Sequence, residues 1–304
     1  MHDAVDSTGG GTENAGIPSA LSNFDTWSNG KNLASSTEQW NIAAYGDAVD
    51  TSTVNINGWT TTADNFINIY TPYLASEVGS SQRHNGKWDD SKYNLKATLT
   101  GGADYIMIED DFVTVNGLQI QPTLSDGTSA ILYAKIVSAQ GVTTFSNNII
   151  AGVLSGSGSA YGIYAIAGTV KAWNNIIYNL NTNSSTGIYN NVSATSYVYN
   201  NTLFNCYTSL TRSSGEIIAK NNLIASTTDP YSGTFSAGTD YNATDINDTP
   251  GVGSNNRTNQ IFKFASASGD FHLAANDTGA VGYGADPFPD DDPLGHWSLD
   301  ENPA

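Results

Sequence analysis

The sequence predicts an all-β solenoid, a stack of coils built from short parallel strands. Three observations carry that expectation. An Asn-Asn pair followed by aliphatic residues returns four times, at Asn147-Asn148, Asn174-Asn175, Asn200-Asn201 and Asn221-Asn222, in steps of 27, 26 and 21 residues. A period of that size marks a repeat in which each turn buries its apolar face only against its neighbours. A second apolar series, Ile131, Ile163, Ile188 and Leu210, advances in steps of 32, 25 and 22 residues, in phase with the first. Charged residues make up only 13% of the chain, about half of the roughly 25% usual in globular proteins.

Each element follows from the repeat. The second residue after every pair is aliphatic (Ile150, Ile177, Leu203, Ile224), and the second before it is apolar (Phe145, Ala172, Val198, Ala219). The residue immediately before the pair is Ser146, Trp173, Tyr199 or Lys220, an unconstrained position expected to face outward. Alternation with a period of two is strand geometry. The pair falls where alternation breaks, and Asn tolerates left-handed backbone angles and bonds locally to main chain, so it suits a bend between two strands. Coils stacked about 4.8 Å apart would let equivalent Asn amides bond in a ladder. An earlier copy is expected at Val115-Asn116-Gly117-Leu118, with Asn116 aligned to Asn147 and Gly in place of the second Asn.

These repeats resemble those of right-handed parallel β-helix proteins, the pectate-lyase-like superfold. The resemblance covers roughly 65–224, and Asp270-Phe271-His272-Leu273 with Gly279-Ala280-Val281-Gly282 is similar to the closing segment of such proteins. There Asp277-Thr278-Gly279 stands in place of the usual Ser-Pro-Ala. The resemblance implies an extracellular protein, with function placed in long insertions between coils. The Asp, His-Gly and Arg-x-Lys motif set of polygalacturonase-like enzymes is not found, nor are the Arg-centred motifs of pectate lyases.

The remaining segments organise the chain. Residues 1–18 read as a flexible leader, 19–285 as the β-helix with an N-terminal cap over 21–45 that includes a helical turn at 22–28, and 286–304 as an acidic linker. Within the last, Leu294 to Glu301 resembles the opening strand of a laminin-G-like jelly-roll domain. Residues 229–259 read as irregular. Residues 1–16 lack the apolar core of a signal peptide, so a secreted form would have lost its signal or carry it upstream. No run of eighteen apolar residues is present to span a membrane. Eleven Lys and Arg against 29 Asp and Glu, net −18, exclude the basic surface that nucleic acid requires.

Candidate site residues fall in four groups. The insertion Ser81 to Tyr93 concentrates Arg83, His84, Trp88, Asp89 and Asp90. Arg83 would clamp a carboxylate or act as base, His84 would be the acid/base, and Asp89 or Asp90 its partner. The alternative is a structural loop in which Arg83 pairs with an Asp and Trp88 packs on the solenoid. Trp173 with Tyr199, Tyr164 with Tyr189, and Trp88 are aromatic candidates for stacking on sugar rings, against simple stacking between coils. Glu109-Asp110-Asp111 could serve acid/base or Ca²⁺ chemistry but lies where a coil turns. Asp290, Asp291 and Asp292, and separately Asp245 and Asp248, are candidate Ca²⁺ ligands without EF-hand spacing. Cys206 is expected to be a small buried hydrophobe. The composition and motifs point to a secreted or cell-surface module that binds a polysaccharide or mediates adhesion. A polysaccharide lyase or hydrolase and a passive stalk are the alternatives.

Overall fold

Asparagine turns the corner of four successive coils, and the rest of the fold follows from it. A computed structural model describes residues 4–6, 13–14, 21, 31–74, 76, 80–99, 104–121, 123–124, 131–136, 141–155, 158–182, 184–266 and 268–285. The chain is a parallel β-helix with three strand-bearing faces. One full coil runs Thr195–Tyr199 on face 1, Thr202–Phe204 on face 2 and Thr208–Arg212 on face 3. Parallel pairing links Trp40–Ala43 through to Glu216–Lys220 on face 1, Asn94–Leu95 through to Ala243–Thr244 on face 2, and Val54–Ile56 through to Asp229–Ser232 on face 3. A short extra sheet, Thr98–Leu99, Thr123–Leu124 and Val153–Leu154, widens three of the earlier coils.

The first Asn of each pair adopts a left-handed backbone, with φ of 55°, 54°, 55° and 56° at Asn147, Asn174, Asn200 and Asn221. The second Asn points inward and forms a continuous ladder. Asn148 Nδ2 donates to Asn175 Oδ1, Asn175 to Asn201 and Asn201 to Asn222, each at 3.0 Å, and Asn222 donates to Asn242 at 2.8 Å. The other amide hydrogen of each goes to a main-chain carbonyl of the preceding coil, as from Asn201 to Ala172 O at 2.9 Å. Each Oδ1 also accepts a main-chain N–H from that coil, as Asn201 Oδ1 does from Asn175 N. At Asn201 all four hydrogen-bonding positions are thus filled in a buried site, where an unfilled one would be costly. The residues that flank the corner, Phe145, Ala172, Val198, Ala219, Ile150, Ile177, Leu203 and Ile224, are all fully buried in the core.

Three alignments differ from the sequence expectation. Asn116 pairs in register with Ser146, so Gly117 (φ 81°) takes the left-handed place of Asn147 and Leu118 that of Asn148. Gly is required there because a Cβ would collide with the Arg83 guanidinium and the Thr71 hydroxyl. Ala134, not Ile131, is in register with Ile163, and through it with Ile188 and Leu210. The stretch 229–259 is not irregular throughout. It continues the ladder through Asn242, which donates to Asn256 Oδ1 at 3.0 Å. The pattern is hidden because Tyr241, not Asn, holds the left-handed position (φ 58°) in that coil. A second corner, after face 2, has its own left-handed residues at Asn179, Asn205 and Ser226. There Asn205 Nδ2 bonds Asn179 Oδ1 at 2.8 Å.

At the N-terminal end, Ala4–Asp6 and Glu13–Asn14 add antiparallel strands to the edge of face 1. The helical turn expected over 22–28 lies outside the described residues. The helix that is described, Leu33–Ser36, starts at Asn32, whose Oδ1 accepts from Ser35 N. At the other end the Asp277 carboxylate accepts four main-chain N–H bonds, from Lys263, Gly279, Ala280 and Val281. Burial would raise its pKa, but those four donors outweigh burial and hold the carboxyl below its ordinary range. Asp277 thus ties together the segment in which Asp-Thr-Gly stands in place of the usual Ser-Pro-Ala.

The ladder makes a measurable prediction. Asn201→Ala removes four buried hydrogen bonds and is expected to cost about 4 kcal/mol. Asn200→Gly keeps the left-handed corner and is expected to stay within about 1 kcal/mol of the parent. Urea denaturation of the two variants would expose a structurally idle ladder if their midpoints coincided.

Candidate functional site

The 83–90 insertion replaces a corner. In the coil of Ile67–Tyr70 the chain leaves face 1 at Thr71 and rejoins face 2 only at Asn94. The next coil makes the same step with Gly117 and Leu118. Polar clamps hold the excursion down on face 2. The Gln119 side chain, fully buried, accepts from Asp89 N at 2.6 Å and donates to Asp89 O and Tyr93 O. The Tyr93 hydroxyl donates to buried Asp50. Lys92 Nζ donates to Ser81 O.

The predicted catalytic groups are distributed within this loop as follows. Arg83 donates to Thr71 Oγ1 and Thr71 O, both at 3.3 Å, and its guanidinium lies 4.2 Å from the Tyr73 ring centroid. His84 is buried, and its Nδ1 accepts from Gly86 N at 3.2 Å, which puts its proton on Nε2. Burial, with help from neighbouring Arg83, lowers its pKa to about 4, against weaker upward effects from the Asn147 backbone and Asp89. The ring is therefore neutral at pH 7. Asp89 accepts from the Ser91 hydroxyl at 2.6 Å and from Ser91 N, which hold its carboxyl low. Asp90 binds Lys96 at 2.6 Å and the Trp88 indole at 2.8 Å, with the same downward effect.

A partner from far along the chain meets this loop. The antiparallel hairpin Phe264–Ser266 with Asp270–Leu273 folds back over face 2. Phe271 packs with Ile149, Ala151, Ile176 and Tyr178, and Trp88, Phe204 and Phe264 lie against the same cluster. Lys87 bridges to Asp270. Asp270 Oδ1 lies 2.5 Å from His272 Nδ1, and the His272 side chain is 45% exposed. Gly86 makes room for it, since a Cβ at that residue would stand 2.6 Å from His272 Nε2. The Asp270–His272 pair is the more accessible acid/base arrangement, and sequence reasoning took it only as part of a closing segment. The Asp-x-His spacing, which sets both side chains on one strand face, was its only signal.

The aromatic candidates separate by face. Trp173 and Tyr199 are in register on face 1, but Trp173 is only 9% exposed and Tyr199 is half-buried, with its hydroxyl pKa pushed up to about 12 by burial and then by Tyr197. Trp88 lies under the hairpin cluster. On face 3, Tyr164 and Tyr189 are in register with ring centroids 5.0 Å apart. The structure adds Tyr161, 5.3 Å from Tyr164 and 5.1 Å from Tyr189. All three are half-buried. Two tyrosines three residues apart share a face because the alternation breaks between them, with Gly162 and Ile163 both buried. A Cβ there would lie 2.5 Å from Gly187 O, and one at Gly187 2.5 Å from Leu203 Cδ2.

The acidic candidates act as main-chain caps. Asp110 accepts from Gly58 N and Trp59 N, Asp111 from Gly141 N, Asp245 from Ser226 N, and Asp248 from Tyr231 N and Thr249 N. Among the described residues no cluster of three or more His, Cys, Asp or Glu is placed to hold a metal ion. Asp290, Asp291, Asp292 and the jelly-roll-like stretch lie outside the described residues. Cys206 is buried, and burial pushes its thiol up to about 12. Among the described residues no helix is long and apolar enough to cross a membrane. No family model matches the chain, and no curated protein or solved structure matches it.

His84 makes the loop pH-sensitive in a defined window. A folded pKa near 4 against 6.5 unfolded means that the unfolded chain binds the extra proton first. Stability is therefore expected to fall by up to about 3 kcal/mol as pH drops from 6.5 to 4. His84→Gln should flatten that part of the profile in denaturation midpoints taken at pH 7, 5.5 and 4. An unchanged slope would remove His84 as its source.

Proposed function

We propose that this β-helix, read as a member of the pectate-lyase-like superfold, is a secreted or cell-surface module that binds a glycan through face 3. The observation that carries the reading is the trio Tyr161, Tyr164 and Tyr189. Three half-exposed rings grouped within 5.0–5.3 Å offer the flat apolar area that pyranose rings stack upon. Polar groups able to orient sugar hydroxyls stand beside them. Asn191 Nδ2 donates to Tyr164 Oη at 3.0 Å, and the Ser214 hydroxyl donates to Asn191 at 3.2 Å. Tyr hydroxyls at the rim of an aromatic surface serve the same purpose. Within that reading face 3 replaces the Trp173 and Tyr199 pair and Trp88 as the first contact, because Trp173 is only 9% exposed and Trp88 packs against the hairpin cluster.

A second reading, cleavage of an extracellular polysaccharide, draws on the Asp270–His272 pair beside the 83–90 loop. Asp270 would hold the imidazole in one orientation while the exposed ring exchanged a proton with substrate.

The two readings separate by experiment. Tyr164→Ala with Tyr189→Ala is expected to weaken retention in glycan affinity gels at least about tenfold, roughly 1.4 kcal/mol, with the denaturation midpoint little changed. Retention equal to the parent's across the glycans it binds would rule face 3 out. Release of new reducing ends from any polysaccharide, lost in His272→Ala but kept in the tyrosine variant, would establish cleavage instead.

A further inference from the structure

Neither functional reading uses His84, yet its ring is held in a definite place. Its Nδ1 accepts the Gly86 N–H at 3.2 Å. The ring is buried, while Asn85 between the two is exposed. Asn85 and Gly86 form an Asn-Gly pair, in which the Gly nitrogen can close on the Asn carboxamide carbon because no Cβ hinders its approach. The amide proton has to leave that nitrogen as it attacks, so a base placed on the N–H speeds the step. Here the proton already points at the unprotonated nitrogen of an imidazole. Burial keeps that ring neutral at pH 7 and able to accept it.

Two other Asn-Gly pairs among the described residues serve as internal references. Asn57 is exposed like Asn85, and Gly58 is left-handed at φ 93°, like Gly86 at 87°. The Gly58 N–H, however, goes to the Asp110 carboxylate at 3.2 Å. A fixed negative charge there opposes the negative charge that gathers on the attacked carboxamide oxygen. Asn116 is held in a strand, where its Oδ1 accepts from Asn147 Nδ2 at 3.0 Å. Gly117 N donates to Ser146 O at 3.0 Å, a carbonyl with negligible basicity. Gly86 alone of the three glycines presents its N–H to an imidazole. The His272 ring stands against Gly86, where a Cβ would lie 2.6 Å from Nε2. The packing that requires glycine at this position therefore also keeps its nitrogen unhindered.

We propose that Asn85 is a self-modification site, with His84 the general base for its deamidation through a cyclic imide. His84 Nδ1 takes the Gly86 amide proton as the Gly86 nitrogen bonds to Asn85 Cγ. The Cγ–Nδ2 bond then breaks, and the proton returns to Nδ2, which departs as ammonia. Water opens the imide at one carbonyl or the other and leaves aspartate or isoaspartate at position 85. His84 is regenerated, and water is the only co-reactant. The product adds a carboxylate to the loop that meets the Asp270–His272 pair, and isoaspartate also lengthens the backbone there by one carbon. The modification depends on neither glycan binding nor cleavage.

The test follows the full chain during incubation at neutral pH, by peptide mapping with mass spectrometry and by enzymatic methylation of isoaspartate. In the folded chain Asn85 is expected to convert severalfold faster than Asn57. It is also expected to convert severalfold faster than it does in guanidinium chloride, where nothing holds the imidazole on Gly86. His84→Gln keeps an acceptor but removes the base. It is expected to bring Asn85 down to the rate of Asn57 while leaving Asn57 unchanged. A folded-state rate at Asn85 no higher than that of Asn57, or no higher than in the unfolded chain, overturns the proposal. So does an advantage that survives His84→Gln. The comparison of folded with unfolded chain needs the parent alone, so it decides the question even where His84→Gln loosens the loop.

Discussion

A parallel solenoid has to carry its backbone polar groups around a corner without losing their partners, and here one side chain per coil does that. In the middle of the ladder the second Asn of a pair fills all four of its hydrogen-bonding positions from the coils on either side, as Asn201 does. It therefore fixes the height of one coil on the next as well as the corner angle. Because the amide is buried, any slip in register would strand several polar groups at once. The core of Ile, Val, Leu and Ala supplies the general driving force for stacking. The ladder supplies its uniqueness, since small aliphatic side chains alone would tolerate a shifted stack.

The ladder's ends explain where the molecule departs from regularity. On the N-terminal side it stops at Leu118, whose N–H still donates to Asn148 Oδ1. With no Asn at the corner of that coil, the position passes to Gly117, and the space a side chain would fill there is taken by Arg83 and Thr71. The long insertion is thus seated in the place the repeat vacates. Gln119 then does for the loop what Asn148 does for the coil, using one side-chain amide to satisfy several main-chain groups. On the C-terminal side the last rung, Asn256, donates to Val252 O, and the chain beyond it is free to fold back as the hairpin that covers face 2.

What was legible in the sequence was what repeats locally. Phe145, Ala172, Val198 and Ala219 could be placed inward because alternation is a property of a few adjacent residues. The Asn pair marked the corner because left-handed backbone has a short list of tolerant residues. The errors came where a different residue took over the same backbone role. Gly117, Tyr241 and Ser226 are all left-handed, yet only the first is conspicuous in a sequence, and its alignment slipped by one. Ile131 misled because an aliphatic residue followed by Tyr looked like Ile163-Tyr164, while the hydrogen-bonded register, which no local pattern encodes, paired Ala134 there instead. The meeting of His272 with Gly86, and of Phe271 with Tyr178, joins residues from distant coils. It depends on the direction the chain takes after its last rung, and periodicity carries no information about that. Among the site residues, Tyr164 and Tyr189 could be paired from spacing, but Tyr161 joins them only through the break in alternation at Gly162 and Ile163.

The three faces differ in what remains available for recognition, and charge sharpens the difference. Face 2 lies under the insertion and the hairpin. Face 1 presents exposed Lys171 and half-buried Lys220. Face 3 keeps its tyrosines half-exposed. Of the few cations, Lys96 is held by Asp90, Arg212 donates to Gly215 O, and Arg83 and Arg257 lie over Tyr73 and Tyr283. A surface with net charge −18 and its arginines engaged in this way is poorly suited to capture a polyanion by ion pairing. On the proposed glycan reading, stacked tyrosine rings bordered by amides and hydroxyls would instead receive a ligand that is uncharged, flat on one side and rich in hydroxyl groups. Such a surface gains little from each contact, and a repeat protein compensates by presenting equivalent contacts at successive coils. The registered pair Tyr164 and Tyr189 does this at one strand spacing, which favours an extended ligand running along the stack of coils over a compact one held in a pocket.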